Sequence, residues 1–322
     1  MIDLVSKITL PKPNFKLNYS NRILSLGSCF SENIGNRLQN TAFCIDINPF
    51  GVLFNPRSII QSIERIKQKL EYSDADLFCN ADIWGSLQHS TLFSDTDQQE
   101  CLNKINERYL LAAKNFDTTD LLILTFGTAW TFEHIASAKT VANCHKLPAN
   151  QFLRYRLTAA EISTAYIELF NTLTYSKPDL KVILTVSPVR HFKDGATENH
   201  LSKAILLEAA KQIEQHCHQV CYFPSYEIML DELRDYRYYA NDLMHPSELA
   251  VDLIFEKFAH TFFDTDTFKI YEKALKYHHA RNHRPLHTNS MAYQKFIKQT
   301  QKLKQELSNM ASISKNNPNY FD

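Results

Sequence analysis

Three apolar runs constrain this chain more than anything else in it: residues 22–26 (RILSL), 120–126 (DLLILTF) and 181–186 (KVILTV). They do not alternate apolar with polar, as a half-solvated strand would. Runs of this kind are the mark of strands covered on both faces. Each stops at a turn-forming residue: Gly27, Gly127 and the pair Ser187 and Pro188. Shorter strands are expected at 43–47 and 220–223. Between the strands the period changes to that of helices. Ile59, Ile60, Ile63, Ile66 and Leu70 make one apolar stripe over 56–70, with Asn55 and Pro56 suited to Ncap and N1. Thr158 and Glu161 form a capping box for a helix over 158–175. Further helices are expected at 31–38, 97–115, 198–217 and 247–263, the last with Pro246 at its start. A hairpin is expected from 130–134 and 139–142, and an irregular excursion at 77–95 around Trp84 and Gly85. Strand and helix alternate about five times, which predicts a mostly parallel sheet with helices on both faces.

Glycine supplies the next constraint. The chain has only six in 322 residues, against a usual share of about 7%. So sparing a chain should keep glycine where the backbone demands it, and Gly27, Gly51 and Gly127 fall at strand ends or in tight loops. In doubly wound sheets, ligands sit outside the carboxyl ends of the strands.

Charge excludes several function classes. The 35 Lys+Arg and 35 Asp+Glu cancel, which removes the electrostatic case for nucleic acid or an anionic membrane surface. No apolar run approaches the ~18 residues of a membrane span, and residues 1–20 hold no continuous apolar core of a secretory signal. Seven cysteines, scattered and odd in number, suit reduced thiols and a cytoplasmic location. From Phe263 onward the chain carries 10 Lys+Arg against 5 Asp+Glu. Two helical stretches there, near 266–280 and 290–308, predict a helical extension (263–322) packed on a main domain (1–262). The histidine pairs His216 and His218, His278 and His279, and His283 and His287 lack ligand sets at zinc spacing. No metal and no cofactor is expected.

Two constellations at strand ends carry chemistry. Asp242 and His245, three apart, can share one side of a turn, where the carboxylate would hold the imidazole tautomer and the imidazole would take a proton from a nearby OH or SH. Cys29 stands between a strand end and a helix start, where helix amides stabilise a thiolate. Its pKa is therefore expected below the free value of about 8.5, and it is expected to alkylate ahead of the other thiols. Ser28 is the rival nucleophile, or a donor that steadies the turn. Trp84 with Gln88 and His89, and Tyr236 with Tyr238 and Tyr239, offer faces suited to a sugar or to core packing.

Residues 26–31 (LGSCFS) resemble the signature of GSCFA-domain proteins, with Ser31 in place of the final alanine. Further matches follow in order: NPFG at 48–51, NCHK at 143–146, SPVR at 187–190, YFPSYE at 222–227, RDYR at 234–237 and DLMHP at 242–246. GSCFA domains are in turn similar to SGNH (GDSL-like) hydrolases. That resemblance implies a three-layer α/β/α fold with a mostly parallel, flavodoxin-like sheet, and an esterase, deacylase or acyltransferase activity. It puts Cys29 on the nucleophile, Ser28 where aspartate is usual, Asp242 and His245 on the base pair, and Gly51 on the oxyanion glycine. Ala129 stands where the oxyanion asparagine should follow Gly127, and Asn143 is the candidate replacement, with His145 beside it to contact substrate. The implied substrate is a small-molecule or carbohydrate ester or acyl group. The alternative is a catalytically degenerate fold that binds a glycan or acyl ligand.

Overall fold

The computed structural model describes residues 5–321; residues 1–4, the start of the segment examined for a secretory signal, and residue 322 lie outside the described residues. In chain order the first half runs β1 (Arg22–Gly27), α1 (Cys29–Asn40), β2 (Cys44–Ile47), α2 (Pro56–Gln68), β3 (Phe78–Asn80), β4 (Ile83–Gly85), α3 (Gln98–Thr118) and β5 (Leu121–Phe126). There follow β6 (Trp130–His134), β7 (Lys139–Val141), β8 (Phe152–Arg156), α4 (Ala159–Ser176), β9 (Lys181–Val186), α5 (Gly195–His216), β10 (Val220–Phe223) and a single turn α6 (Ser225–Glu227). The chain closes with α7 (Glu248–Phe262), α8 (Thr265–Arg281), α9 (Met291–Ser308) and α10 (Ala311–Asn316).

The three apolar runs become the centre of a five-stranded sheet in the order β2-β1-β5-β9-β10, parallel at every pairing. This is the flavodoxin-like order of doubly wound folds. Successive residues of each strand serve opposite cores, which is why the runs are apolar throughout. Leu24, Leu122, Leu124 and Leu184 join Ile63, Tyr166 and Leu206 from the α2–α5 side. Ile23, Ile123 and Ile183 join Phe30 and Ile34 of α1 and Ile254 and Phe258 of α7. The C-terminal helices add Ala274, Tyr277, Leu307 and Ile313 to that second core. The architecture is α/β/α with a helical C-terminal portion. Among the described residues no helix is long and apolar enough to cross a membrane.

Local signals fixed the helix starts. Asn55 Oδ1 accepts from Ser58 N at 2.8 Å ahead of Pro56, and the Thr158 and Glu161 capping box forms on α4. Pro246 does not take the first helical position expected of it. Ser247 is the Ncap of α7, its hydroxyl accepting from Ala250 N, and Pro246 pairs outside the helix with Tyr239. The expected hairpin of β6 and β7 gains a third antiparallel strand, β8, and the 77–95 excursion contains the β3–β4 hairpin.

The carboxyl edge of the sheet is tight at β1. Gly27 has φ +146°, and a Cβ there would lie 2.2 Å from Thr125 O of the neighbouring strand. Gly27→Ala should therefore destabilise the protein by about 3 kcal/mol, since neither backbone can yield without breaking the ladder. Urea unfolding of the two chains measures it; an unchanged midpoint would refute the close approach.

Candidate active site

Gly27, Gly127 and Ser187 leave the ends of three adjacent strands, so the residues after them share one edge. Asn48, after β2, ties that edge together. Its Oδ1 accepts from Gly27 N at 3.0 Å and its Nδ2 donates to Glu32 Oε1 at 3.4 Å.

Ser28 is fully buried, and its hydroxyl accepts from Phe30 N at 3.3 Å as the Ncap of α1. Cys29 follows as the first helical residue and is half-buried. The chain thus presents the thiol and keeps the hydroxyl inside. The thiol pKa is nevertheless raised, against the lowering expected from the helix start. Burial is the main cause and the Glu32 carboxylate the second; the Phe30 and Cys29 N–H groups and Lys203 pull the other way without prevailing.

Lys203 is the residue that sequence reasoning missed. It lies on α5 and is 1% exposed, with Nζ donating to Gly127 O at 2.6 Å and to Ser187 O at 2.7 Å. Among the described residues no carboxylate pairs with it. Burial drives its pKa down to about 7, with the Cys29 thiol opposing that shift. The signal was in the register: Asn199, Lys203, Leu206, Ala210 and Ile213 share the buried face of α5.

Asp242 and His245 do form a pair. Asp242 Oδ2 meets His245 Nδ1 at 2.6 Å, and Asp242 Oδ1 accepts from the N–H groups of Met244 and His245. Those bonds lower the aspartate pKa to about 2. The pair is half-exposed. It is docked on the β9 exit loop by Arg190 N, which donates to Met244 O at 3.0 Å. The neighbouring His191 has its pKa lowered to about 4, by burial first and then by Lys203 and His245. His191 therefore feels the charge of both the lysine and the candidate base. Among the described residues His245 makes no hydrogen bond to Cys29 or Ser28.

Residues 22–258 match the GSCFA family, and residues 278–315 match the C-terminal domain of GSCFA domain proteins. The chain belongs to the GSCFA family. No curated protein matches it. Among solved structures it is similar to an acetyl xylan esterase from the rumen bacterium Butyrivibrio proteoclasticus, at 13% identity and a TM-score of 0.33, over 75% of this chain and 63% of that one. The chain thus spans less than two thirds of the length of that esterase.

In this GSCFA protein the remaining candidate residues are tied into loops. Gly51 N donates to Asn48 O at 2.7 Å, so this amide is engaged in a turn and is not free to meet an oxyanion. Gly127 N and Thr128 N both donate to Phe54 O at 2.9 Å, and buried Ala129 gives its N–H to Ser202 Oγ. Asn143 Oδ1 accepts from His145 N, and His145 Nε2 lies 2.8 Å from Ser86 O and 3.0 Å from His89 O, which fastens this loop. His89 itself is buried among the rings of Phe50, Tyr72 and Phe93. Among the described residues no group of three or more His, Cys, Asp or Glu is placed to hold a metal ion.

Two outcomes follow from these environments. In the folded protein at pH 7, iodoacetamide should label exposed Cys79 ahead of half-buried Cys29, while Cys101, Cys217 and Cys221 stay protected. Cys29 labelling should climb steeply only above the ordinary thiol pKa of about 8.5. Mass spectrometry of labelled peptides reads both, and Cys29 labelling first at pH 6 would contradict the raised pKa. Lys203 gives the second. Its folded-state pKa is about 7 against 10.5, so between these values the unfolded chain binds the additional proton and rising pH favours the folded state. The unfolding free energy of the wild type relative to Lys203→Met should grow from pH 7 to 10. A flat difference would show that the lysine titrates normally.

Proposed function

We propose that this chain is an esterase, deacylase or acyltransferase of the SGNH type, acting on a small-molecule or carbohydrate acyl group, with Cys29 as nucleophile and His245 as base. The observation that carries this reading is the gathering, on one sheet edge, of a half-buried thiol, a buried lysine and a docked Asp242–His245 pair.

The chemistry starts from a thiol that holds its proton at neutral pH and so needs a base. Asp242 occupies His245 Nδ1, which leaves the Nε2 lone pair to accept that proton. Because His245 makes no hydrogen bond to the thiol in the free protein, the transfer belongs to the substrate complex, where such contacts tighten. The sulfur bonds to the acyl carbon and the carbonyl π pair moves to oxygen. Collapse expels the alkoxide or amine, which takes the proton from His245 and leaves a thioester on Cys29. Water, or an acceptor hydroxyl, then gives its proton to His245 and attacks the thioester. The departing sulfur recovers a proton from His245. Lys203 acts as a positioning residue: its ammonium fixes the loops after β5 and β9 and opposes the Glu32 charge at the sulfur.

A second reading is favoured by the engaged amides of Gly51, Gly127 and Ala129: a fold of this type that holds an acyl or glycan ligand without turnover. Hydrolysis of 4-nitrophenyl acetate and of a matched thioester separates the two. The enzyme reading expects turnover that Cys29→Ala abolishes, that Ser28→Ala weakens only modestly, and that His245→Ala cuts by about 10²–10⁴-fold with the fold intact by circular dichroism. Turnover unaffected by Cys29→Ala would overturn Cys29 as the nucleophile, and no turnover in the wild type on any acyl substrate tried would leave the binding reading.

A further inference from the structure

A cavity of about 580 Å³ opens beside this edge, between the Phe54 loop, the β6–β7–β8 sheet and the turn at His191 to Asp194. The apolar part of its wall is built of Phe54, Trp130, Phe132, Val141, Leu147 and Phe152, which suits a flat apolar body. Its lining charges are Lys146, Arg154 and Lys193 against the single carboxylate of Asp194. Arg154 is neutralised by Asp194 and stacks on the Trp130 ring at 4.1 Å. Lys146 and Lys193 also line the cavity, both exposed, and among the described residues neither forms an ion pair. Within this lining, Trp130 Nε1, Arg154 Nε and His191 Nε2 are buried and have no hydrogen-bond partner among the described residues. Polar atoms left in that state each cost roughly 1–3 kcal/mol, and an oxygen-rich ligand that shifts the wall slightly would relieve the two donors, Trp130 Nε1 and Arg154 Nε.

We propose that this cavity is a binding site for an organic anion, a carboxylate or phosphate carried on an aromatic or similarly flat apolar body. The flat body lies against Phe54, Leu147 and Phe152, and the anion meets Lys146 and Lys193. The site joins the candidate active site through shared parts. Phe54 supplies both the cavity wall and the carbonyl that holds Gly127 and Thr128, and His191 lines the cavity while sensing Lys203 and His245. Taken with the acyl-transfer reading, on which this extension rests, the cavity receives the part of the substrate beyond the reacting carbonyl. The binding itself needs no turnover.

Calorimetric titration of the Cys29→Ala protein with 1-naphthyl phosphate and with 1-naphthoate tests the site, with 1-naphthol and inorganic phosphate as comparators. The two naphthyl anions should bind saturably and at least tenfold tighter than either comparator, and binding of one anion alone would identify which headgroup the site takes. The double variant Lys146→Gln and Lys193→Gln, at exposed positions that leave the core untouched, should weaken that binding about tenfold. A cavity-filling Ala142→Phe variant should abolish it. No saturable binding of either anion, naphthol binding as tightly, or affinity unmoved in the lysine variant would overturn the proposal. Anion binding without wild-type esterase activity would count against the catalytic reading alone, and esterase activity without anion binding against the cavity alone.

Discussion

Lys203 Nζ bridges Gly127 O at 2.6 Å and Ser187 O at 2.7 Å, and with those two bonds it joins the exits of adjacent strands to the middle of α5. A buried ammonium is costly unless its hydrogen bonds are met. Here two of its three N–H groups are met by carbonyls that a parallel sheet leaves unpaired at its carboxyl edge. Each side solves a problem for the other. Without the lysine the two carbonyls would be buried acceptors lacking donors; without the carbonyls the lysine could not stay inside. The loops that carry Thr128 and Arg190 therefore leave the sheet in fixed directions, and both candidate sites inherit that rigidity.

The central fold was legible because a parallel sheet covered on both faces needs apolar residues at nearly every strand position. β1, β5 and β9 announced themselves in that way. The caps were legible for a different reason: Asn55 and Thr158 each act on an amide three residues away, so no tertiary information was needed. β8 escaped because only Phe152 of its five residues is buried. A strand with the pattern FLRYR, set on a small sheet at the rim of the molecule, lacks the apolar run that marks the central strands. Pro246 was misplaced by two positions, standing just before the Ncap instead of at N1, because Ser247 is a better cap than proline is a helix start.

At the site, the Asp242 and His245 pairing needed only a three-residue turn, so sequence spacing sufficed. The state of Cys29 did not follow from its place at a helix start. The helix amides do pull its pKa down, but burial outweighs them, and burial depends on packing that no local pattern carries. Glu32 adds to the same effect from one turn along α1. Its position three residues from the thiol is visible in the sequence, and a carboxylate there favours the helix while disfavouring a thiolate. Local and functional preferences conflict at that turn.

On the proposed acyl-transfer reading, the same turn bears on which atom would react. Serine and aspartate are both strong Ncap residues, so position 28 can exchange one for the other without losing the hydrogen bond that starts α1. Ser28 Oγ makes that bond and is fully buried, which leaves it poorly placed to meet a substrate. Position 29 is free of the capping duty, and its side chain reaches partial exposure at the sheet edge. A serine at position 29 would be strongly dependent on a preformed oxyanion site. The amides that could build one, at Gly51 and Gly127, are held by Asn48 O and Phe54 O. A sulfur nucleophile is less demanding, because it attacks well once deprotonated. The requirement then moves from oxyanion stabilisation to proton removal. The free Nε2 of His245 and the electropositive floor at Lys203 are the groups this edge provides for it.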